Sequence, residues 1–493
     1  MTSFPISRSG SRCNLNLAII GLLVILVCPP AMATETNTTD AKPNILFIFA
    51  DDHSYDSIHA TGNDEIETPN LDALARESVH FTHAYNMGAW GGAVCVASRK
   101  MLNTGQFIWH SNKLDLKSEQ AAGRTWSQQM KSAGYETYFT GKWHVQLNPK
   151  DIFDHVGNVR GGMPKQTPEG YNRPVEGQED KWSPYDKSKG GFWEGGKHWS
   201  EVVGDDAIRF LTNAKQSEDP FFMYIAFNAP HDPRQSPKEF VDKYPLDKIS
   251  VPPDFQPEYQ YKEAIGAGVK LRDEKLAPFP RTEYSVKVNR QEYYAIITHM
   301  DQQIGRILEA LEDSGKSDNT YVFFTADHGL AVGHHGLIGK QNMHEHSVRV
   351  PFFVKGPDVP RNRKIGAKIY LQDVMATSLA IAGANKAGPV HFKNLLPLIR
   401  GESSNHYSSI YGGYRDLQRM VIKDDMKLII YPTIKKTLLY DLAHDPLEMN
   451  ELSNSPKQTA TVKSLFKELL KLQEETGDEL DLKSTFRELV QDQ

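Results

Sequence analysis

The chain has 493 residues, of which 39% are hydrophobic and 24% charged, with a formal net charge of −6. That composition describes a soluble globular protein with ample core, built as two to four domains or as one large α/β unit. The charge is small for this size and gives no sign of nucleic-acid binding, so an anionic substrate has to be met by local basic residues.

At the N-terminus, Arg8 and Arg12 precede the apolar stretch 15–27, and Ala31-Met32-Ala33 offers a small-x-small cleavage site. This pattern predicts a signal peptide over residues 1–33, cleaved after Ala33, and hence a secreted or periplasmic protein. The apolar run is too short to span a bilayer, which takes about 20 residues. Cys28 raises the alternative of a lipoprotein, but no small residue precedes it and Pro29 follows it. Cleavage removes Cys13 and Cys28 and leaves Cys95 as the only cysteine of the mature chain, without a disulfide partner. No later stretch is apolar enough to span a membrane.

After a polar leader over 34–42, residues 44–50 form a continuous apolar run, the pattern of a strand buried on both faces of a sheet. It ends at Asp51-Asp52-His53, which reads either as a metal site at a strand's carboxyl end or as a solvated turn. Thr68-Pro69-Asn70 opens a helix with Leu71, Leu74, Ala75 and Val79 on its apolar face. A Gly-rich segment over 88–92 leads to Cys95-Val96-Ala97-Ser98-Arg99, with a short helix over 98–102 closing at Gly105. Donors at that helix start suit an anion.

A helix over 126–133 and a strand over 135–140 lead to Gly141-Lys142-Trp143-His144. Residues 148–200 form a long insertion carrying Tyr171, Trp182, Tyr185, Phe192, Trp193 and Trp199, readable as a sugar-stacking rim or as a packed surface loop. A helix over 202–215 and a strand over 221–227 deliver His231. A second insertion, over 245–289, precedes a helix over 291–314. A strand over 321–325 ends at Ala326-Asp327-His328, and Lys340 follows in a loop. A strand over 350–354 and a helix over 372–381 complete a catalytic domain over 43–385. Beyond it, residues 386–493 read as a small antiparallel sheet plus a helix. The fold class is therefore α/β, a large mixed, mostly parallel sheet flanked by helices, with a smaller C-terminal subdomain.

Polar clusters thus end four separate strands. Together with the segments N-I-L-F-I-F-A-D-D at 44–52, T-P-N-L-D-A-L-A at 68–75 and C-V-A-S-R at 95–99, they resemble the type I, formylglycine-dependent sulfatases of the alkaline phosphatase superfamily. T-G-K-W-H at 140–144, A-P-H-D at 229–232, T-A-D-H-G at 325–329, G-K at 339–340, and L-Y-D-L at 439–442 with Asp445-Pro446 extend the resemblance over the whole mature chain.

The resemblance implies that a formylglycine-generating enzyme converts Cys95 to 3-oxoalanine (formylglycine), whose hydrated gem-diol is the nucleophile. It implies one calcium ion held by Asp51, Asp52, Cys95, Asp327 and His328, where relatives often carry Asn at the last position. Hard oxygen donors also suit magnesium. Arg99 fixes the diol, Lys142 and Lys340 bind the sulfate, His144 takes the proton that drives collapse, and His231 with Lys340 assists the leaving alcohol. Ala97 stands where Pro is more frequent in the modification motif. The substrate implied is a sulfated carbohydrate. The alternatives are a phosphodiesterase or phosphonate monoester hydrolase of the same superfamily, or an unmodified, non-catalytic protein that binds sulfated glycans. For Cys95 alone the plainer reading is an inert buried thiol, which leaves Ala97 and Arg99 unexplained. His53, His59, His83, His299, His334, His335, His344 and His346 read as structural or surface residues, and Arg234 and Arg281 as ion-pair partners.

Overall fold

The computed structural model describes residues 42–162 and 164–490. The expected signal peptide over 1–33, with Cys13 and Cys28, and the leader as far as residue 41 lie outside the described residues. Among the described residues no helix is long and apolar enough to cross a membrane.

The run that opens the described chain forms the strand Asn44–Asp51, every residue of it buried. It pairs in parallel with Phe221–Pro230 on one side and Thr320–Ala326 on the other. Glu136–Lys142 and then His155–Arg160 extend the parallel array beyond Phe221–Pro230. On the far side, Phe352–Lys355 runs antiparallel to Thr320–Ala326 and hands on to Val79–Tyr85. Arg363–Tyr370 pairs in parallel with Val79–Tyr85. Strands buried on both faces need covering helices, and their continuous apolar sequences follow from that. Phe47 packs against Trp126 and Tyr224 at centroid distances of 5.2 and 4.9 Å. Truncating such a side chain to alanine costs about 3–5 kcal/mol.

A second sheet comprises four antiparallel strands, Ser409–Tyr414, Gln418–Lys423, Met426–Tyr431 and Lys436–Asp441, covered by the helix Thr459–Thr476. Its fifth strand is Gly88–Ala89, from just before Cys95, pairing in parallel with Ser409–Tyr414. Gly88 has φ of 91°, and a Cβ there would collide with the Gly413 carbonyl, so only glycine lets the two backbones approach.

Several expectations need correction. Val79 is not the last apolar position of a helix: the helix stops at Arg76, and Val79 begins a strand. The long helix spans Glu283–Asp313, eight residues earlier at its start than its apolar periodicity indicated, because Thr282 and Ser285 form a capping box there. The strand Arg363–Tyr370 went unseen, because it is half exposed and carries basic residues instead of an apolar run. The insertion over 148–200 is not irregular throughout, since His155–Arg160 is a strand of the main sheet. Of its aromatics, Trp182, Phe192 and Trp199 are buried, with Arg173 and Arg160 stacked over Trp182 and Trp199, and Tyr171 and Trp193 are half-buried. Tyr185 is the exposed exception.

Candidate active site

Four adjacent parallel strands end at one place. Thr320–Ala326 delivers Asp327 and His328, Asn44–Asp51 delivers Asp51 and Asp52, Phe221–Pro230 delivers His231, and Glu136–Lys142 delivers Lys142 and His144. Side chains leaving the carboxyl edges of neighbouring parallel strands share one crevice, and that is why residues nearly 280 positions apart meet there. Asp52 and His144 sit in the left-handed region, with φ of 66° and 52°. Such conformations cost about 1–3 kcal/mol each and re-aim the side chain where the strand stops. Gly141, with φ of 99°, lies so close to the Ala226 carbonyl that a Cβ would clash with it. Cys95 enters from the opposite side as the second residue of the helix Val94–Thr104, so unpaired N–H groups lie close to its sulfur.

The structure brings all the sequence-predicted residues together. Cys95 Sγ lies 3.5 Å from His328 Nε2, 3.6 Å from Lys340 Nζ and 3.9 Å from Asp52 Oδ1. Lys340 Nζ donates to both oxygens of Asp52, at 2.9 and 2.6 Å, and His328 Nε2 stands 3.0 Å from Asp52 Oδ1. Lys142 donates to Asp51 Oδ2. Arg99 reaches Asp327 through Nε at 3.0 Å and the Lys142 carbonyl through Nη1 at 2.7 Å, with Nη2 3.8 Å from Asp51. Its guanidinium lies over the Phe49 ring. Every one of these groups is buried except His144, which is partly exposed.

The protonation tendencies differ in ways the geometry explains. Burial pushes the Cys95 thiol up, but Lys142, Lys340 and hydrogen bonds from His144 and His231 outweigh it and hold the thiol well below its ordinary value. Burial opposes the charge on Asp52 too, yet His231, Lys340 and His328 keep it strongly acidic. Asp51 moves the other way, raised by burial and by Asp327 against the pull of Lys142. His231 is depressed by burial, but Asp52 and Asp232 overcome this, despite Lys340, and lift it to about 10. His144 ends below its usual value, chiefly through burial, and its Nδ1 makes no hydrogen bond.

Supporting residues had no sequence signal of their own. Arg272, from the second insertion, binds both Asp232 and Asp273. Asp232 holds His231 Nδ1 at 3.1 Å, and Asp273 accepts from Gln341 Nε2 at 2.7 Å beside Lys340. Tyr293 donates to the Asp52 carbonyl at 2.7 Å. Only Asp232, the last residue of A-P-H-D at 229–232, belonged to a recognised motif. Arg281 forms its expected ion pair, with Glu274, whereas Arg234 bonds the amide oxygen of Asn289.

One donor atom from each of Asp51, Asp52, Cys95, Asp327 and His328 lies within 4.8 Å of the others, all buried. Asp51 Oδ1 is buried without a hydrogen bond. Three buried carboxylates with an unsatisfied oxygen fit a hard divalent cation.

The family model for sulfatases matches residues 43–384, and one described as N-sulphoglucosamine sulphohydrolase, C-terminal, matches residues 333–475. An ulvan-active sulfatase of Formosa agariphila is 25% identical over 485 residues, covering 94% of this chain and 87% of that protein. An N-acetylglucosamine-6-O-sulfatase of Bacteroides thetaiotaomicron is 26% identical, covering 97% and 93%. Among solved structures, one in complex with its substrate D-glucosamine-2-N,6-O-disulfate superposes with a TM-score of 0.71 at 24% identity, covering 90% of this chain and 100% of that one. A phosphonate monoester hydrolase of Agrobacterium radiobacter gives 0.69 at 20% identity, covering 88% and 96%, a likeness of fold. With the family model covering so much of the chain, and its strand ends meeting at one cysteine, this protein belongs to the sulfatase family and hydrolyses sulfate esters.

Proposed function

We propose that the protein is an exported sulfatase acting on a sulfated carbohydrate, with formylglycine made from Cys95 as nucleophile and one calcium ion at the carboxylate cluster. The observation that carries this reading is the placement of Cys95 Sγ, within 3.6 Å of Lys340 and His328, at the meeting point of four strand ends and a helix N-terminus. The cysteine sulfur stands where the oxygens of the modified residue would lie. The sulfated-sugar relatives and the signal-peptide pattern over residues 1–33 support the substrate class and export.

In this reading Asp51, Asp52, Asp327, His328 and the modified Cys95 hold the cation, which supplies positive charge that acidifies the diol and polarises the sulfate. The modified residue supplies a diol oxygen to attack sulfur, and the sugar oxygen leaves. Lys142 and Lys340 swing from their carboxylate partners to the equatorial sulfate oxygens, where negative charge builds. His231, held as a cation with Nδ1 on Asp232, gives its Nε2 proton to the departing sugar oxygen. His144, held neutral, then takes the proton of the second diol oxygen, the carbon–oxygen bond to the sulfate breaks, sulfate leaves, and water hydrates the restored aldehyde. One imidazole is pushed up and its neighbour down, and that separation supports the roles of acid and base proposed for them. Arg99 keeps Asp327 and the Lys142 carbonyl in register and touches no substrate. We place the catalytic domain at 43–385 and the C-terminal subdomain at 386–493.

Aryl sulfate and aryl phosphate esters offered in parallel test the ester class: sulfate turnover is expected to dominate, and preference for phosphate would overturn the reading. His231→Ala is expected to lower kcat/KM for a sugar sulfate by about 10²–10⁴, and far less for an aryl sulfate, whose phenolate leaves without an acid. Equal losses on both substrates would remove His231 from the acid's role.

A further inference from the structure

The segment that presents Lys340 is bracketed by His334-His335 and by His344-Glu345-His346. These four imidazoles are buried as a stack. The His335 and His344 rings lie 4.3 Å apart at 26°, and those of His334 and His346 lie 5.3 Å apart at 16°. Nothing in the catalytic geometry uses them. Stacked rings this close cannot all carry charge, and a neutral buried imidazole needs a partner for its ring nitrogens. Nε2 of His335 and Nε2 of His346 are buried and make no hydrogen bond.

We infer that His335, His344 and Glu448 form a second metal site, structural in role, for a zinc-class divalent ion. One donor atom of each lies within 4.8 Å of the other two, and all three residues are buried. His344 Nδ1 and Glu448 Oε2 stand 3.1 Å apart. Two ligands bonded at about 2.0–2.1 Å to a tetrahedral ion are separated by about 3.3 Å, so this pair is already spaced for coordination. Two imidazoles and one carboxylate form a borderline donor set that favours zinc, whereas the carboxylate-rich cluster beside Cys95 favours a hard cation.

The surroundings orient the donors. His344 Nε2 lies 3.1 Å from the Tyr259 hydroxyl, so Nδ1, hydrogen-bonded to Glu448 Oε2 in this structure, is the nitrogen that faces the ion. The Glu345 N–H donates to Glu448 Oε2 at 2.7 Å, and Lys427 Nζ takes Oε1 at 2.8 Å, so the carboxylate is held to act through one oxygen. Asp254 stands 3.3 Å from His335 Nε2. The fourth position of a tetrahedral ion there falls to a water or to Asp254. The backbone is strained where the loop turns inward, with φ of 42° at Val332 and 52° at His335. Bound there, the ion ties the loop that carries Lys340 to Glu448, in the segment after the last strand of the second sheet.

The test is elemental analysis of the purified, calcium-loaded enzyme after incubation with zinc and gel filtration. About one zinc per chain is expected with calcium content unchanged, and His335→Ala and Glu448→Gln are each expected to lose it. Zinc should also raise the thermal midpoint of the wild-type protein by at least about 3 °C. Should the variants fail to fold, cobalt added to the wild-type enzyme decides: the strong visible absorption of tetrahedral cobalt supports the site. No retained zinc, zinc gained only as calcium is lost, zinc kept by both folded variants, or a weak octahedral cobalt spectrum would each overturn the assignment.

Discussion

Arg99→Ala is expected to destabilise the protein by about 3–5 kcal/mol, the cost of stripping the partner from a buried charge. The guanidinium is fully buried and bridges Asp327 and Asp51 while capping the Lys142 carbonyl. Its removal leaves Asp327 without a cationic side chain within salt-bridge distance except His328, at 3.8 Å. It also opens a void under Phe49 that cannot close without moving the strand. Because Arg99 belongs to the modification motif, the comparison should be made between Cys95→Ala and the Cys95→Ala/Arg99→Ala double variant, so that neither protein is modified. Urea unfolding with a chelator present reads the difference, and calcium should recover part of it by neutralising the same carboxylates. Arg99→Lys keeps the charge but loses the fork that serves three acceptors, and should fall between the two. A loss below about 1 kcal/mol for the alanine variant would show that the carboxylates are balanced by other groups.

Cys95→Ala should remove turnover by a factor of about 10⁶ while leaving the fold in place. The side chain is small and sits at the helix start, so deleting one sulfur costs about 1 kcal/mol of stability. The catalytic loss is large because every other group is aimed at this atom, and none of them is placed to attack sulfur itself. The same residue predicts a chemical signature. The peptide containing Cys95 should be about 18 Da lighter than its thiol form in natively produced enzyme, as oxidation of the CH₂SH group to an aldehyde requires. Unmodified thiol in fully active enzyme would contradict the proposed nucleophile, and so would alanine-variant activity near that of the wild type.

Local pattern revealed much of the fold. The runs over 44–50 and 221–227 read as buried strands and that over 321–325 as a strand, and all three are buried strands, because a segment covered on both faces must be apolar throughout. Elements whose residues serve two environments were harder to read. Arg363–Tyr370 mixes basic, small and apolar residues without a two-residue period, and Val79 follows a helix so closely that it continues the helical apolar pattern. The aromatics over 148–200 looked exposed because their neighbours are charged. For Trp182 and Trp199, burial comes with arginines stacked on the rings, a contact that spacing does not report.

The sequence by itself determined which side chains end the strands and the residue types around Cys95, since these follow from short motifs and from the period of burial. Only the tertiary structure decided that four of those strands are adjacent and parallel. It alone set Arg272 against Asp232 and Asp273, and gathered His335, His344 and Glu448 into one cluster. The physical reason is separation along the chain. Asp232 and Arg272 stand about forty residues apart and His344 and Glu448 about a hundred, joined by hydrogen bonds and ion pairs that leave no periodic trace, whereas hydrophobic burial repeats with every turn or pleat and is legible locally.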